Sequence, residues 1–175
     1  VSCLVAVVAV GGWLLYMPGK SFTGPLPPPT DQQNELAGRL MGHIVVLAGA
    51  IGERTVAFGQ HAQLEEAAVY LEEELQKYGY EVQSQPFDVD SYEVRNIAVE
   101  LPGLSDEIVV VGAHYDTALG TPGANDNGSG VAAMLELARL FAGSRYQRTI
   151  RFVAFANEEP PYFHGQKMGS LVYAF

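Results

Sequence analysis

The sequence predicts an α/β fold of three layers, α/β/α, around a mixed, mainly parallel sheet. Three observations predict it. Residues 107–113 (EIVVVGA) and 149–156 (TIRFVAFA) are continuous apolar runs rich in β-branched residues, the pattern of strands covered on both faces. The segment between them, 129–142, is apolar at helical spacing (Val131, Met134, Leu135, Ala138, Phe141), which makes a strand–helix–strand unit. Two amphipathic helices and an antiparallel strand pair are predicted ahead of that unit, and they make the sheet mixed.

The elements follow in order. Residues 1–17 (VSCLVAVVAVGGWLLYM) are almost wholly apolar, close to the roughly 20 residues a spanning helix needs. Trp13 and Tyr16 sit near the end, where interfacial aromatics are expected. The segment reads as a membrane anchor or a signal segment. No clear small-x-small cleavage site precedes the linker, which favours the anchor, and either reading puts the rest of the chain outside the cytoplasm. Cys3, the single cysteine, lies within this run, so neither a disulfide framework nor a cysteine-ligated zinc is available within one chain. Residues 18–30 (PGKSFTGPLPPPT) form a stiff proline-rich linker.

A T-x-x-Q capping box at Thr30 and Gln33 opens the first helix. Its stripe runs through Leu36, Leu40, Ile44, Leu47 and Ile51, and Gly52 stops it. A second helix spans 62–78, with Leu64, Ala68, Leu71, Leu75 and Tyr78 on one stripe and Gly79 at its end. The acidic run Glu65, Glu66, Glu72, Glu73, Glu74 reads as its solvated face. Residues 80–89 and 93–101 make the strand pair, turning near Asp90 and Ser91. The formal net charge of −10 argues against a nucleic-acid partner.

In open α/β sheets, ligands bind beyond the carboxyl ends of the strands. The first core strand runs out into His114-Tyr115-Asp116 and the second into Asn157-Glu158-Glu159, while the loop PGANDNGSG between them carries Asp126. Imidazole and carboxylates are the donors zinc takes when cysteine is absent. His114 and Asp116, two apart on extended backbone, point to one side. One ring nitrogen can then bind metal while the other N–H is donated to Asp116. Of the adjacent pair Glu158 and Glu159, one is suited to a cation and the other to accepting a proton from water. Each residue alone has a plainer role: a structural histidine, a helix cap at Asp126, surface acids. Their convergence on one sheet edge argues for metal chemistry. His43 and His61 read as ordinary helix or loop residues, and His164 as a remote ligand candidate. Gly128-Ser129-Gly130 mimics a dinucleotide fingerprint but lacks the buried strand in front.

VVVGAHYDT, PGANDNGSGVAAMLELARL and TIRFVAFANEE resemble the motifs of the di-zinc aminopeptidases of peptidase family M28, in order and spacing over residues 107–159. The resemblance implies a zinc-peptidase-like fold and two Zn2+ ions per complete domain. It implies His114 on the first zinc, Asp126 bridging both, and Glu159 on the second. Glu158 would be the general base and Asp116 would orient His114. A cis peptide bond is implied after Asp126. The implied activity is hydrolysis of a peptide substrate, as an aminopeptidase. The alternatives are a single-zinc acyltransferase of the glutaminyl cyclase type and a non-catalytic ectodomain of the same fold. The family's remaining ligands, a further acid and a second histidine, have no match after Glu159. Residues 31–175 are therefore expected to be the N-terminal part of a metallopeptidase domain, incomplete at the C-terminus and inactive alone.

Overall fold

The computed structural model describes residues 10–16 and 22–175. The chain divides into two units, Val1–Thr30 and Asp31–Phe175. In the first, residues 10–15 are helical, and Trp13, Leu14, Leu15 and Tyr16 are exposed. Most of the predicted anchor lies outside the described residues. Among the described residues, no helix is long and apolar enough to cross a membrane.

In the second unit, α1 (Asp31–Ile44) starts one residue after Thr30 and widens into a π-helical stretch, Val45–Ile51. Gly52 ends it at φ 81°, a left-handed angle that glycine adopts without a Cβ clash. Helix α2 (His61–Lys77) closes with Gly79 at φ 89°. The Tyr80 N–H bonds back to the Leu75 carbonyl and the Gly79 N–H to that of Gln76, a Schellman termination. Strands β1 (Gln83–Val89) and β2 (Tyr92–Leu101) form the hairpin, turning at Asp90 and Ser91. Strand β3 (Ile108–His114), helix α3 (Ser129–Phe141) and strand β4 (Thr149–Phe155) form the crossover unit, and a short α4 (Gly169–Ala174) follows.

The sheet order is β1-β2-β4-β3. β3 and β4 pair in parallel, but β1–β2 and β2–β4 are antiparallel. The sheet is mixed as predicted, yet among the described strands two of three pairings are antiparallel rather than mainly parallel. The reason is β2. Its hairpin partner already runs opposite to it, and β2 then lays its other edge along β4.

Helices α2 and α3 cover one face, packing on β2 and β3 respectively, with α1 against α3. Phe152 is fully buried on that side, with the rings of Tyr80 and Phe141 beside it. Alternate residues point to the other face. There Arg151 bonds the Tyr173 hydroxyl and Phe155 meets the Tyr173 ring, so α4 supplies the third layer. Cover on that face is partial. β3 is an edge strand, and Ile108, Val109 and Val110 are 40–48% exposed, contrary to the full burial its apolar run predicts. β4, held between β2 and β3, is the strand that is buried along most of its length.

Two expectations about polar residues change. Glu65 and Glu72, seven apart on α2, both bind Arg95 of β2 at 2.6 Å; part of the acidic run is paired with the sheet, with the Glu65 side chain still 45% exposed. His43 is buried, 2.6 Å from the Tyr70 hydroxyl and 3.3 Å from the buried Glu136 carboxylate. It joins α1 to α2 and α3.

Phe152→Ala removes the largest fully buried side chain of β4. It should lower unfolding free energy by about 3–5 kcal/mol in urea denaturation; a loss below about 1 kcal/mol would contradict this packing.

Candidate metal centre

The parallel pairing of β3 and β4 sets two strand ends side by side, with His114 opposite Phe155. The Tyr115 N–H continues the ladder to the Phe155 carbonyl, so residues 114–116 and 156–159 leave the sheet together. Asp116 joins them. It is 1% exposed, and its two oxygens accept the backbone N–H groups of Glu158 at 3.0 Å and Glu159 at 2.9 Å. Each of its oxygens thus has a hydrogen-bond donor, which a buried carboxylate requires. Asn157, at φ 66°, turns the chain so that these N–H groups face inward, and its side-chain amide donates to the Lys167 carbonyl.

His114 lies between three acids. Its Nε2 is 3.1 Å from Asp126 Oδ1, and its Nδ1 is 3.3 Å from Asp116 Oδ1. The Nδ1 contact is poorly aligned and leaves that buried nitrogen without a hydrogen-bond partner. The interaction there is electrostatic. Burial disfavours the imidazolium, but Asp116, then Asp126 and Glu159, outweigh it, and the His114 pKa rises above its ordinary value. The Glu159 pKa also rises, first from burial and then from repulsion by Asp126. Crowded acids around an imidazole are what a divalent cation relieves.

Asp126 reaches this point from the loop before α3. The loop turns at Gly123, φ 62°, where a Cβ would collide with Thr117 and lie 2.8 Å from the Asp126 carbonyl. The Asp126–Asn127 peptide bond is cis, as the resemblance implied. The capping role weighed for Asp126 falls to its neighbour: the Asn127 side chain accepts the Gly130 N–H at 3.2 Å. The Asp126 carboxylate is left exposed at the site.

One donor atom each from His114, Asp126 and Glu159 fall within 4.8 Å of one another. One nitrogen and two carboxylate oxygens suit zinc's preference for N and O donors. A cavity of about 370 Å³ opens on them, lined also by Glu158, Pro160 and Phe163. The Glu158 carboxylate is held by α4, accepting the Ser170 N–H at 2.6 Å and hydroxyl at 3.0 Å. All five predicted site residues therefore meet at one edge of the sheet. His164 is not in the cluster; it lies against the Phe163 ring. The sequence reading missed Ser170, Asn157 and above all Arg54. Arg54 is fully buried, and its guanidinium donates to the carbonyls of Leu47, Gly52, Tyr115, Pro122 and Gly123. Burial pulls its pKa down to about 10 while Asp116 opposes the shift. The only sequence signal was a charge set between the apolar Ile51 and Val56.

Known proteins resemble this chain in several ways. "Uncharacterized protein YfbL" of Escherichia coli is 38% identical over 119 residues, covering 63% of this chain and 37% of that protein. "Aminopeptidase YwaD" of Bacillus subtilis is 53% identical over 53 residues, covering 30% of this chain and 12% of that protein. The chain thus spans well under half of either relative. Among solved structures, a putative Zn-dependent exopeptidase from Bacteroides vulgatus superposes with a TM-score of 0.62 at 25% identity, covering 79% of this chain and 52% of that one. The sequence model of peptidase family M28 matches residues 96–174, the stretch that carries all five clustered residues. Through that stretch, the chain is similar to the members of peptidase family M28.

Proposed function

We propose that the protein containing this chain is a zinc-dependent metallopeptidase of the aminopeptidase type, removing residues from the N-terminus of a peptide. The observation that carries the reading is the convergence of His114, Asp126 and Glu159 donors within 4.8 Å, with Glu158 on the wall of the same cavity. Bound there, a pair of zinc ions would supply Lewis acidity and bring the pKa of water toward neutrality. Asp126, the exposed acid reached from the loop, would hold both ions, with His114 and Glu159 as the other ligands from this chain. Glu158 takes the proton from the attacking water and returns it to the leaving amine. Asp116 fixes the His114 ring and, through the two N–H groups it holds, the backbone of both glutamates.

The donors contributed by this chain are testable without turnover. Zinc titrated calorimetrically into the 175-residue chain should bind, and His114→Ala should abolish the binding. Equal heats from the two proteins would contradict the site.

The division of labour between the glutamates is tested in the active protein, with an aminoacyl anilide as substrate. Glu158→Gln should cut kcat by about 10²–10⁴-fold and leave the metal content at two zinc ions per protein. Unchanged turnover would remove Glu158 from the chemistry, and one zinc per protein would remove the bridging role of Asp126.

A further inference from the structure

We propose that Arg54, with Glu53 beside it, is the positioning element of the metal centre: its buried guanidinium fixes the spacing between the segment that carries His114 and Asp116 and the loop that carries Asp126. This inference rests on the metal-site reading above.

A buried arginine is costly unless its N–H groups are satisfied. Arg54 has no carboxylate partner among the ion pairs of the described residues; its hydrogen bonds go to main-chain carbonyls. Three of those carbonyls are informative. Nε donates to Tyr115, the residue between His114 and Asp116. The two terminal nitrogens reach Pro122 at 2.9 Å and Gly123 at 3.3 Å, just ahead of Asp126. The other two, Leu47 and Gly52, anchor the guanidinium to the end of the first helix. One planar, rigid fork therefore touches both arms of the site and ties them to the helical layer. An ammonium on a flexible stem cannot span those carbonyls together.

The backbone reinforces the fork. The Arg54 N–H bonds Thr117 Oγ1 at 3.1 Å, and the Thr117 N–H bonds the Arg54 carbonyl at 3.0 Å. Between the arms, the chain passes through an exposed loop, and the Glu53 carboxylate holds its tip by accepting the Gly120 N–H at 2.9 Å. Gly123 completes the device. Its carbonyl accepts both Arg54 and the Gly128 N–H at 2.9 Å, so the guanidinium, the loop and the entry to α3 share one oxygen.

The test measures zinc affinity and thermal stability together on the 175-residue chain. The variants are Arg54→Lys, Glu53→Ala and the remote core control Leu75→Ala, whose side chain is fully buried in α2. Arg54→Lys should weaken zinc binding by at least about tenfold, the scale set by residues that orient ligands. Glu53→Ala should weaken it measurably with Tm unchanged. Leu75→Ala should lower Tm and leave zinc affinity as it was. A folded Arg54→Lys protein that binds zinc like the parent, or no more weakly than the control, overturns the proposal. If Arg54→Lys does not fold, Glu53→Ala decides: parental affinity there overturns it. Absence of zinc binding by the parent chain would instead remove the metal-site reading itself.

Discussion

Asp116 is the constraint on which the site depends. A carboxylate with 1% exposure is tolerated because its charge is met on two sides. The N–H groups of Glu158 and Glu159 point at its oxygens from the end of β4, and the His114 ring faces it from the end of β3. The parallel ladder brings the two strand ends near each other, and Asp116 then fixes their relative rotation. Without it, the β4 exit would have two buried backbone donors to satisfy elsewhere, at a cost of about 1–3 kcal/mol each. The same group therefore stabilises the fold and aims three of the side chains that line the cavity, His114, Glu158 and Glu159.

The remaining supports act on the other arm and on the rim. The loop from Thr117 to Gly128 has little regular structure of its own, and its path is set by hydrogen bonds to Arg54, by Gly123 and by Asn127. On the far side, Asn96 of β2 bonds the Ala156 N–H and the Gly169 carbonyl. It seats α4 beside the β4 exit, where Ser170 holds Glu158. Asp90, in the hairpin turn, bonds both Tyr162 and Lys167 and ties down the segment that follows Glu159. The antiparallel hairpin thus braces the rim opposite the crossover helix.

Much of this was legible in the sequence because it follows from period and spacing. The helical stripes of α1, α2 and α3 and the apolar run of β4 are set by burial, and burial leaves a pattern. His114 and Asp116 share a side because they are two apart on extended chain. Strand order was not legible: nothing in residues 92–101 distinguishes a β2 that pairs with β4 from one that stays with its hairpin partner alone. The partners of Arg54 were hidden for a different reason. Main-chain carbonyls carry no sequence signature, so an arginine that binds five of them looks like any surface charge. Glu65 and Glu72 were read as solvated because their partner, Arg95, lies on another element. His43 likewise gave no sign of burial, since its acceptor Glu136 is 93 positions away.

The central claim is that one crossover gathers an imidazole and two acids around a divalent cation. Anomalous diffraction at the zinc edge, from crystals of the chain grown with zinc, tests it most directly. The account predicts a peak within coordinating distance, about 2.0–2.2 Å, of His114 Nε2 and of carboxylate oxygens of Asp126 and Glu159. Zinc found only on other residues, with His114 still bonded directly to Asp126, would contradict it.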